Sequence, residues 1–267
     1  MTIKGYAALA ALLATTAVTP AMAGTVLIIN GSSGTSESGT TASITTQISQ
    51  LHIAAGNTIT VVDAVPVSLA GFQQVWDIRF SNNLAITGAE QSQYVSYLQG
   101  GGGMFVMGEN SFFATRNNSI LSLISSAGGG SLTFTTPGDA QTVYSPFTGP
   151  NAVTSIQYSA AGGVNGFGTG QWITSNAAGS AGSGVAFGVG SLGNAQAGAL
   201  TTIFDVNFLA TDANASSQAL TRNLIGFIGN QVAPVPEPAT WGMMILGFGM
   251  IGAAARSRKV KTSVKFA

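Results

Sequence analysis

The sequence predicts an α/β domain built on a mainly parallel, doubly wound sheet, and three observations predict it. Short, continuous apolar runs rich in β-branched residues recur in the first half of the chain, the pattern of strands covered on both faces. Between them lie segments whose apolar residues recur at helical spacing. Clusters of Gly, Asn, Ser and Thr punctuate each change. Strands that alternate with helices argue for parallel pairing through right-handed crossovers.

Taken in order, Thr25-Val26-Leu27-Ile28-Ile29 reads as a buried strand ending in the loop Asn30-Gly31-Ser32-Ser33-Gly34. Thr41 to Ala54 sets Ile44, Ile48 and Leu51 on one stripe behind Ser/Thr residues suited to an N-cap, and Gly56-Asn57 closes that helix. Thr58 to Val62 is the next strand, and Val75-Trp76-Asp77-Ile78-Arg79 a third. Thr87-Gly88-Ala89-Glu90 has the form of a capping box, in which hydroxyl and carboxylate each satisfy the other's backbone N–H. The helix behind it presents Tyr94, Val95, Tyr97 and Leu98 and stops at the glycines 100–103. Met104 to Met107 forms a fourth strand, and Gly108-Glu109-Asn110-Ser111 turns into a helix ending at Leu123-Ile124.

From about residue 128 to 200 the composition shifts to Gly, Ser, Thr and Ala, with β-like runs at 131–135, 153–158 and 184–189. This segment reads as antiparallel strands and long loops inserted on the sheet. Leu200 to Asp205 is the last core strand. Gln218 to Ile228, with Leu220, Leu224, Ile225 and Ile228 on one stripe, is the closing helix.

Both ends of the chain read as signals outside this fold. Lys4, the apolar stretch Tyr6 to Val18 and the small residues Ala21 and Ala23 make an export leader for the Sec machinery, cut after Ala23. At the other end come Pro236-Glu237-Pro238, Trp241, an uncharged run to Ala255, and then Arg256, Arg258, Lys259, Lys261 and Lys265. As a helix, residues 241–255 would span roughly 22 Å at about 1.5 Å per residue, short of a hydrocarbon core of roughly 30 Å. The basic end would stay on the cytoplasmic side. The tail resembles the PEP-CTERM sorting signal of Gram-negative envelope proteins. That resemblance implies an exosortase as processing partner and a transient membrane anchor through the C-terminal hydrophobic helix. It further implies a final place at the surface or in the extracellular matrix, and a link to exopolysaccharide. The expected organisation is a signal peptide at 1–23, an α/β domain at 24–233 and the sorting tail at 234–267.

Charge within 24–233 is sparse: Arg79, Arg116 and Arg222 stand against eight acidic residues, with no lysine, a net charge of −5. Such a domain has no electrostatic footprint for nucleic acid. The chain has no cysteine and one histidine, His52. Thiol nucleophiles, Fe–S clusters, thiolate zinc and paired-histidine zinc sites are therefore excluded, and neither metal nor cofactor is expected. A Ser-His-Asp mechanism would have His52 as its single candidate base. A surface or helix-end position is the simpler reading of that residue.

The stretches "VWDIRF", "LAITGAEQSQYVSYLQGGGGMFVMGENSFF" and "TTIFDVNFLATD…LTRNLIGFI" resemble the class I glutamine amidotransferase-like superfamily, including its trehalose-utilisation type. The resemblance implies a flavodoxin-like or Rossmann-like sheet with a nucleophile at the strand-to-helix turn 108–112. Active members carry cysteine in that turn; here Asn110 stands in its place, and no histidine follows His52. Amidotransferase activity is accordingly expected to be lost. Glu109, Asn110 and Ser111, with Asn30, Ser32 and Ser33, then have two readings: a polar ligand site at the C-terminal edge of the sheet, or ordinary helix capping. Asp205 and Asn207 carry the same two. At the level of function the first reading is a non-catalytic envelope domain that binds a polar ligand or glycan. The second is a hydrolase with an unrecognised active site, and the third a structural or ice-binding surface protein. The third requires a fixed repeat, and only scattered Thr-x-Thr pairs occur, at 58–60 and 133–135.

Overall fold

Val26, Leu27, Ile28 and Ile29 are wholly buried because β1 (Thr25–Ile29) has a strand on each edge and helices on each face. The computed structural model describes residues 24–31, 40–79, 84–209 and 214–232. The leader with Ala23, the loop with Ser32 and Ser33, and the tail with Pro236, Glu237, Pro238 and Trp241 lie outside these residues. After β1 come α1 (Thr40–Ala54), β2 (Thr58–Val62), β3 (Gln74–Asp77), α2 (Gly88–Gln99) and β4 (Gly103–Gly108). A 3-10 turn at Ser111–Phe113 then leads into α3 (Ala114–Ala127). The glycine-rich segment supplies β5 (Thr133–Thr135), β6 (Ala140–Val143), β7 (Ser155–Gln157), β8 (Gly163–Asn165), β9 (Gln171–Ser175), β10 (Ala181–Gly182) and β11 (Gly184–Phe187). The chain returns to the centre of the sheet in β12 (Ala199–Phe204) and closes with α4 (Ala215–Gln231).

β2, β1, β3, β4 and β12 lie side by side in that order, all parallel. β11, β9, β6 and β7 continue the same sheet antiparallel to nine strands, and β10, β8 and β5 form a second, three-stranded sheet. Because side chains alternate across a strand, Val26 and Ile28 face α1 and α4, joining Ile44, Ile48, Leu220 and Leu224. Leu27 and Ile29 face α2 and α3 on the opposite side, joining Tyr94, Leu98, Ile120 and Leu123. The two runs of apolar residues thus become one sheet between two helical layers.

Local signals set the helix ends. Thr87 and Glu90 form the expected capping box at the start of α2. α3 runs to Ala127, beyond the expected Leu123-Ile124, and Ala127 is buried. Its stop is Gly128, left-handed at φ 88, whose N–H returns to the Ile124 and Ser125 carbonyls. Asn214 caps α4 by accepting from Ser217 N at 3.1 Å, so that helix begins before the expected Gln218.

Two features were not specified by the sequence reading. His52 does lie in the last turn of α1, but it is fully buried and not at the surface: α1 turns it inward against Trp76, edge-on at 4.8 Å, and Trp76 stacks on Phe105 at 4.5 Å. Burial lowers its imidazole to about pKa 3, so it is neutral at growth pH, and Asn57 Nδ2 lies 3.0 Å from its Nδ1. The second feature is the β2–β3 crossover, residues 63–73, which has no helix. It lies as a strap beside α2, tied by Gln93 Nε2 donating to the Pro66 carbonyl and by the Tyr97 hydroxyl donating to that of Phe72. Between strap and helix remains a groove of about 460 Å³ floored by Gly100, Gly101 and Gly102, at the N-terminal edge of the parallel strands.

Candidate functional site

In an open parallel sheet, ligands meet the loops that follow the C-terminal ends of the strands. Here those loops begin at Asn30, Ile78, Glu109 and Asp205. Their charged side chains turn inward.

Asp77 ends β3 with no exposed surface. Arg79, two residues on, closes a fork on it, Nε to Oδ1 at 3.0 Å and NH2 to Oδ2 at 2.9 Å. Arg116, buried on α3, reaches the same carboxylate at 3.1 Å, and the Tyr94 hydroxyl donates to it at 2.8 Å. Arg79 also bridges to Glu90, the capping-box carboxylate, at 2.8 Å. Burial pushes the Asp77 carboxyl up, but the guanidiniums of Arg116 and Arg79 outweigh it and hold the group well below the usual carboxylate range. The cluster joins β3, α2 and α3. Sequence reasoning placed Asp77 and Arg79 in a strand and Glu90 and Tyr94 on the helix after it, counted Arg116 among the charges, and did not bring the five together; the available signal was that Arg79 and Asp77 close an otherwise apolar strand.

Glu109 is buried too. Its Oε1 accepts from Asn110 N at 2.8 Å and its Oε2 from Val206 N at 2.6 Å, which ties the end of β4 to the end of β12. Asn117 fastens the same turn: it accepts from Glu109 N at 3.0 Å and donates to the Glu109 and Asn110 carbonyls. Asn110 does cap the 3-10 turn, its Oδ1 accepting from Phe112 N at 3.0 Å. Ser111 is exposed, and Phe112 is 86% exposed. Asn30 lies two strands from β4, about 10 Å away at the usual strand spacing, and its Nδ2 donates to Thr45 Oγ1 at 3.3 Å. The structure thus brings Asn110 and Ser111 together beside Asn207, and places Asn30 apart from them with β3 between.

Asp205 follows β12 with no exposed surface. Ser159 N donates to its Oδ2 and Asn207 N to its Oδ1, both at 2.7 Å. Asp139 accepts from Ala161 N at 2.9 Å. These carboxylates hold the turn 159–161 over the strand end. Ala160 there has φ 57, the single non-glycine residue with positive φ among the described residues. A strained residue of this kind costs on the order of 1–3 kcal/mol and persists where the surroundings over-determine it. Nearby, Gly162 is obligatory, since a Cβ would strike the Glu109 carbonyl oxygen.

Burial raises the Asp205 carboxyl to about 6, against the lowering effect of the backbone N–H groups of Ser159, Asn207 and Phe208, with the Asp139 charge adding to the rise. The folded group therefore binds its proton more tightly than the unfolded one. On its account stability falls as pH rises from about 4 to about 6. Carboxyl-carbon NMR should place its midpoint near pH 6, and a midpoint near about 4, the unperturbed value, would refute the burial argument.

Among the described side chains that reach solvent along the β4 and β12 ends, most are neutral: the Asn110 and Asn207 amides, half-buried, and Ser111, Ser159 and the Phe112 ring, exposed; half-buried Asp139 is the acid beside them. Among the described residues no group of three or more His, Asp or Glu is placed to hold a metal.

The comparisons with known proteins address the tail and the fold separately. Residues 234–259 match the PEP-CTERM protein-sorting motif. The chain is thus an exported, exosortase-processed surface protein. No curated protein matches it. Among solved structures it is similar to the mmIFT52 N-terminal domain, at 11% identity and TM-score 0.57, over 79% of this chain and 100% of that one. It is also similar to part of a cold-adapted β-galactosidase from Rahnella sp. R3, at 10% identity and TM-score 0.51, over 78% of this chain and 31% of that one. At such identities the likeness is one of fold alone. None of these matches carries the amidotransferase resemblance. Among the described residues no helix is long and apolar enough to cross a membrane.

Proposed function

We propose that residues 24–233 form a non-catalytic, surface-displayed module that binds a neutral glycan at the ends of β4 and β12. One observation carries this reading. Among the described residues, the acidic side chains that end β3, β4 and β12 are committed inward, Asp77 to two arginines and Glu109 and Asp205 to backbone N–H groups, and half-buried Asp139 beside them accepts from Ala161 N. The surface keeps amides, hydroxyls and one broad aromatic ring. Neutral donors and acceptors beside an exposed ring suit a sugar, which offers hydroxyls at its rim and C–H faces to stack. A general acid or base, by contrast, must reach the substrate within hydrogen-bond distance.

The scaffold is, on this reading, a flavodoxin-like sheet of the amidotransferase-like kind. In its favour are the parallel order β2-β1-β3-β4-β12, which is the doubly wound order 2-1-3-4-5, and Asn110 on the strand-to-helix turn. The leader at 1–23 and a transient anchor at 241–255 belong to the same proposal. Exosortase release then leaves the domain in the matrix, beside exopolysaccharide.

The test is equilibrium binding of the exported protein to the producing strain's own exopolysaccharide. Phe112→Ala should weaken binding about tenfold, equivalent to about 1.4 kcal/mol, with an unchanged melting temperature because the ring is exposed. Asn110→Ala should weaken it further, with a small loss of stability from the cap. Equal binding by wild type and Phe112→Ala, or no binding to any glycan fraction, would refute the proposal.

A further inference from the structure

Two amide side chains crowd the start of β1. Gly24, which precedes the strand, is buried, and its N donates to Asn57 Oδ1 at 3.1 Å. Asn57 leads into β2 on one side of β1, and Gln73 leads into β3 on the other. A Cβ on Gly24 would come within 2.8 Å of both Asn57 Oδ1 and Gln73 Oε1. The two oxygens therefore close on the Cα that carries this nitrogen, and a side chain there would push both amides aside.

The amides differ in what holds them. Asn57 is oriented by His52: its Nδ2 lies 3.0 Å from Nδ1 of the neutral ring, which accepts, and this leaves Oδ1 for Gly24. Gln73 is nine-tenths buried, and its backbone is in use, N donating to the Thr25 carbonyl and its own carbonyl accepting from Gly103 N. Its side-chain amide makes no hydrogen bond among the described residues. A buried amide without a partner is destabilising, and native folds rarely keep one.

We propose that Asn57 and Gln73 form a cradle for the ammonium that removal of the leader creates at Gly24, so that the domain reaches full stability only after the leader is cut. The proposal rests on the reading that the cut falls after Ala23, and it is independent of the glycan site. In the uncut chain the Gly24 nitrogen carries one hydrogen, and Asn57 takes it. Hydrolysis of the 23–24 peptide bond consumes one water and leaves a carboxylate on Ala23 and an amine on Gly24. That amine is protonated below its usual range of about 7.7–8.0 and then has three N–H donors. One stays on Asn57 Oδ1, a second goes to Gln73 Oε1, and the third is left for solvent. Amide oxygens accept such donors, and a charged donor makes a bond roughly twice as strong as a neutral one. Glycine is the residue this arrangement needs, because no Cβ stands between the nitrogen and the two oxygens.

Four exported chains test it: the wild type, a chain with one threonine inserted between Ala23 and Gly24, Gln73→Met, and the two changes combined. A cut after Ala23 then starts both extended chains one residue early, with an ordinary peptide N–H at Gly24, and intact mass reports each start. The insertion should lower the melting temperature of the wild type by about 3 °C or more, the shift expected from one charged hydrogen bond in a domain of this size. In Gln73→Met the same insertion should cost almost nothing. Gln73→Met should lower the melting temperature of the chain that starts at Gly24, yet leave unchanged or raise that of the extended chain, where the amide has no partner. A purely structural role for Gln73 would lower both equally. Gln73→Glu, which offers the ammonium a carboxylate, should widen the gap made by the insertion. No gap in the wild type, or equal gaps in the wild type and Gln73→Met, would overturn the cradle and leave the leader reading intact. A wild type that starts at a residue other than Gly24 would overturn both.

Discussion

Replacing Asp77 with alanine is expected to lower stability by about 3–5 kcal/mol, the usual cost of removing one partner from a buried ion pair. The loss comes from what stays behind: Arg116, 1% exposed, would keep its charge without its carboxylate. Arg79→Ala should cost far less, on the order of 1 kcal/mol, because Arg79 is partly exposed and Arg116 remains to neutralise Asp77. Urea unfolding with an unchanged slope would measure both. The wild type should also show an acid limb. The folded Asp77 carboxyl lies well below its unfolded range, so its contribution is present above about pH 4 and drains away as pH falls toward the folded value. Asp77→Ala should lack that limb. A loss for Asp77→Ala no larger than the roughly 1 kcal/mol of an exposed pair would mean that the cluster behaves as a surface pair.

Glu109→Ala should be the second large effect, about 2–6 kcal/mol. It strands two backbone donors, Asn110 N and Val206 N, at about 1–3 kcal/mol for each buried group left unpaired. Glu109→Gln should lose roughly half as much, since an amide keeps one acceptor oxygen and turns its NH2 toward the other donor. The local signature is amide exchange: Val206 should lose protection in Glu109→Ala well before the centre of β12 does. Unchanged exchange at Val206 would show that the carboxylate does not tie the two strand ends together.

These two residues also mark the limit of what sequence reasoning could see. Glu109 was legible as a residue of the β4–α3 turn, because glycine, asparagine and serine after an apolar run announce a strand-to-helix turn. Its direction was not, because the donor that draws it inward, Val206, lies far along the chain, at the end of a strand that becomes a neighbour only when β12 inserts beside β4. Asn110 was legible as a cap for the opposite reason: its partner, Phe112 N, is two residues away. The capping box of Thr87 and Glu90 is local in the same sense, yet Glu90's further bridge to Arg79 is not.

His52 went astray through an average. A polar residue near a helix end is usually solvated, but the Trp76–Phe105 stack leaves a flat apolar wall on which an imidazole edge packs well. In the glycine-rich segment, strands of two to five residues are too short for a period to stand out, so β6, β8, β9 and β10 were not distinguished from loops. They are held by pairing with neighbours and not by any pattern of their own.

By itself the sequence determined the alternation of strands and helices, the buried stripe of each, the local caps, the absence of cysteine and the sorting tail. All of these depend on spacing within a few residues or on composition. Tertiary structure alone decided the strand order, the inward turn of Asp77, Glu109 and Asp205, the burial of His52 and the meeting of Asn57 and Gln73 at Gly24. Each of these depends on which distant backbone or charge arrives alongside, and that is set by how the whole sheet closes its core.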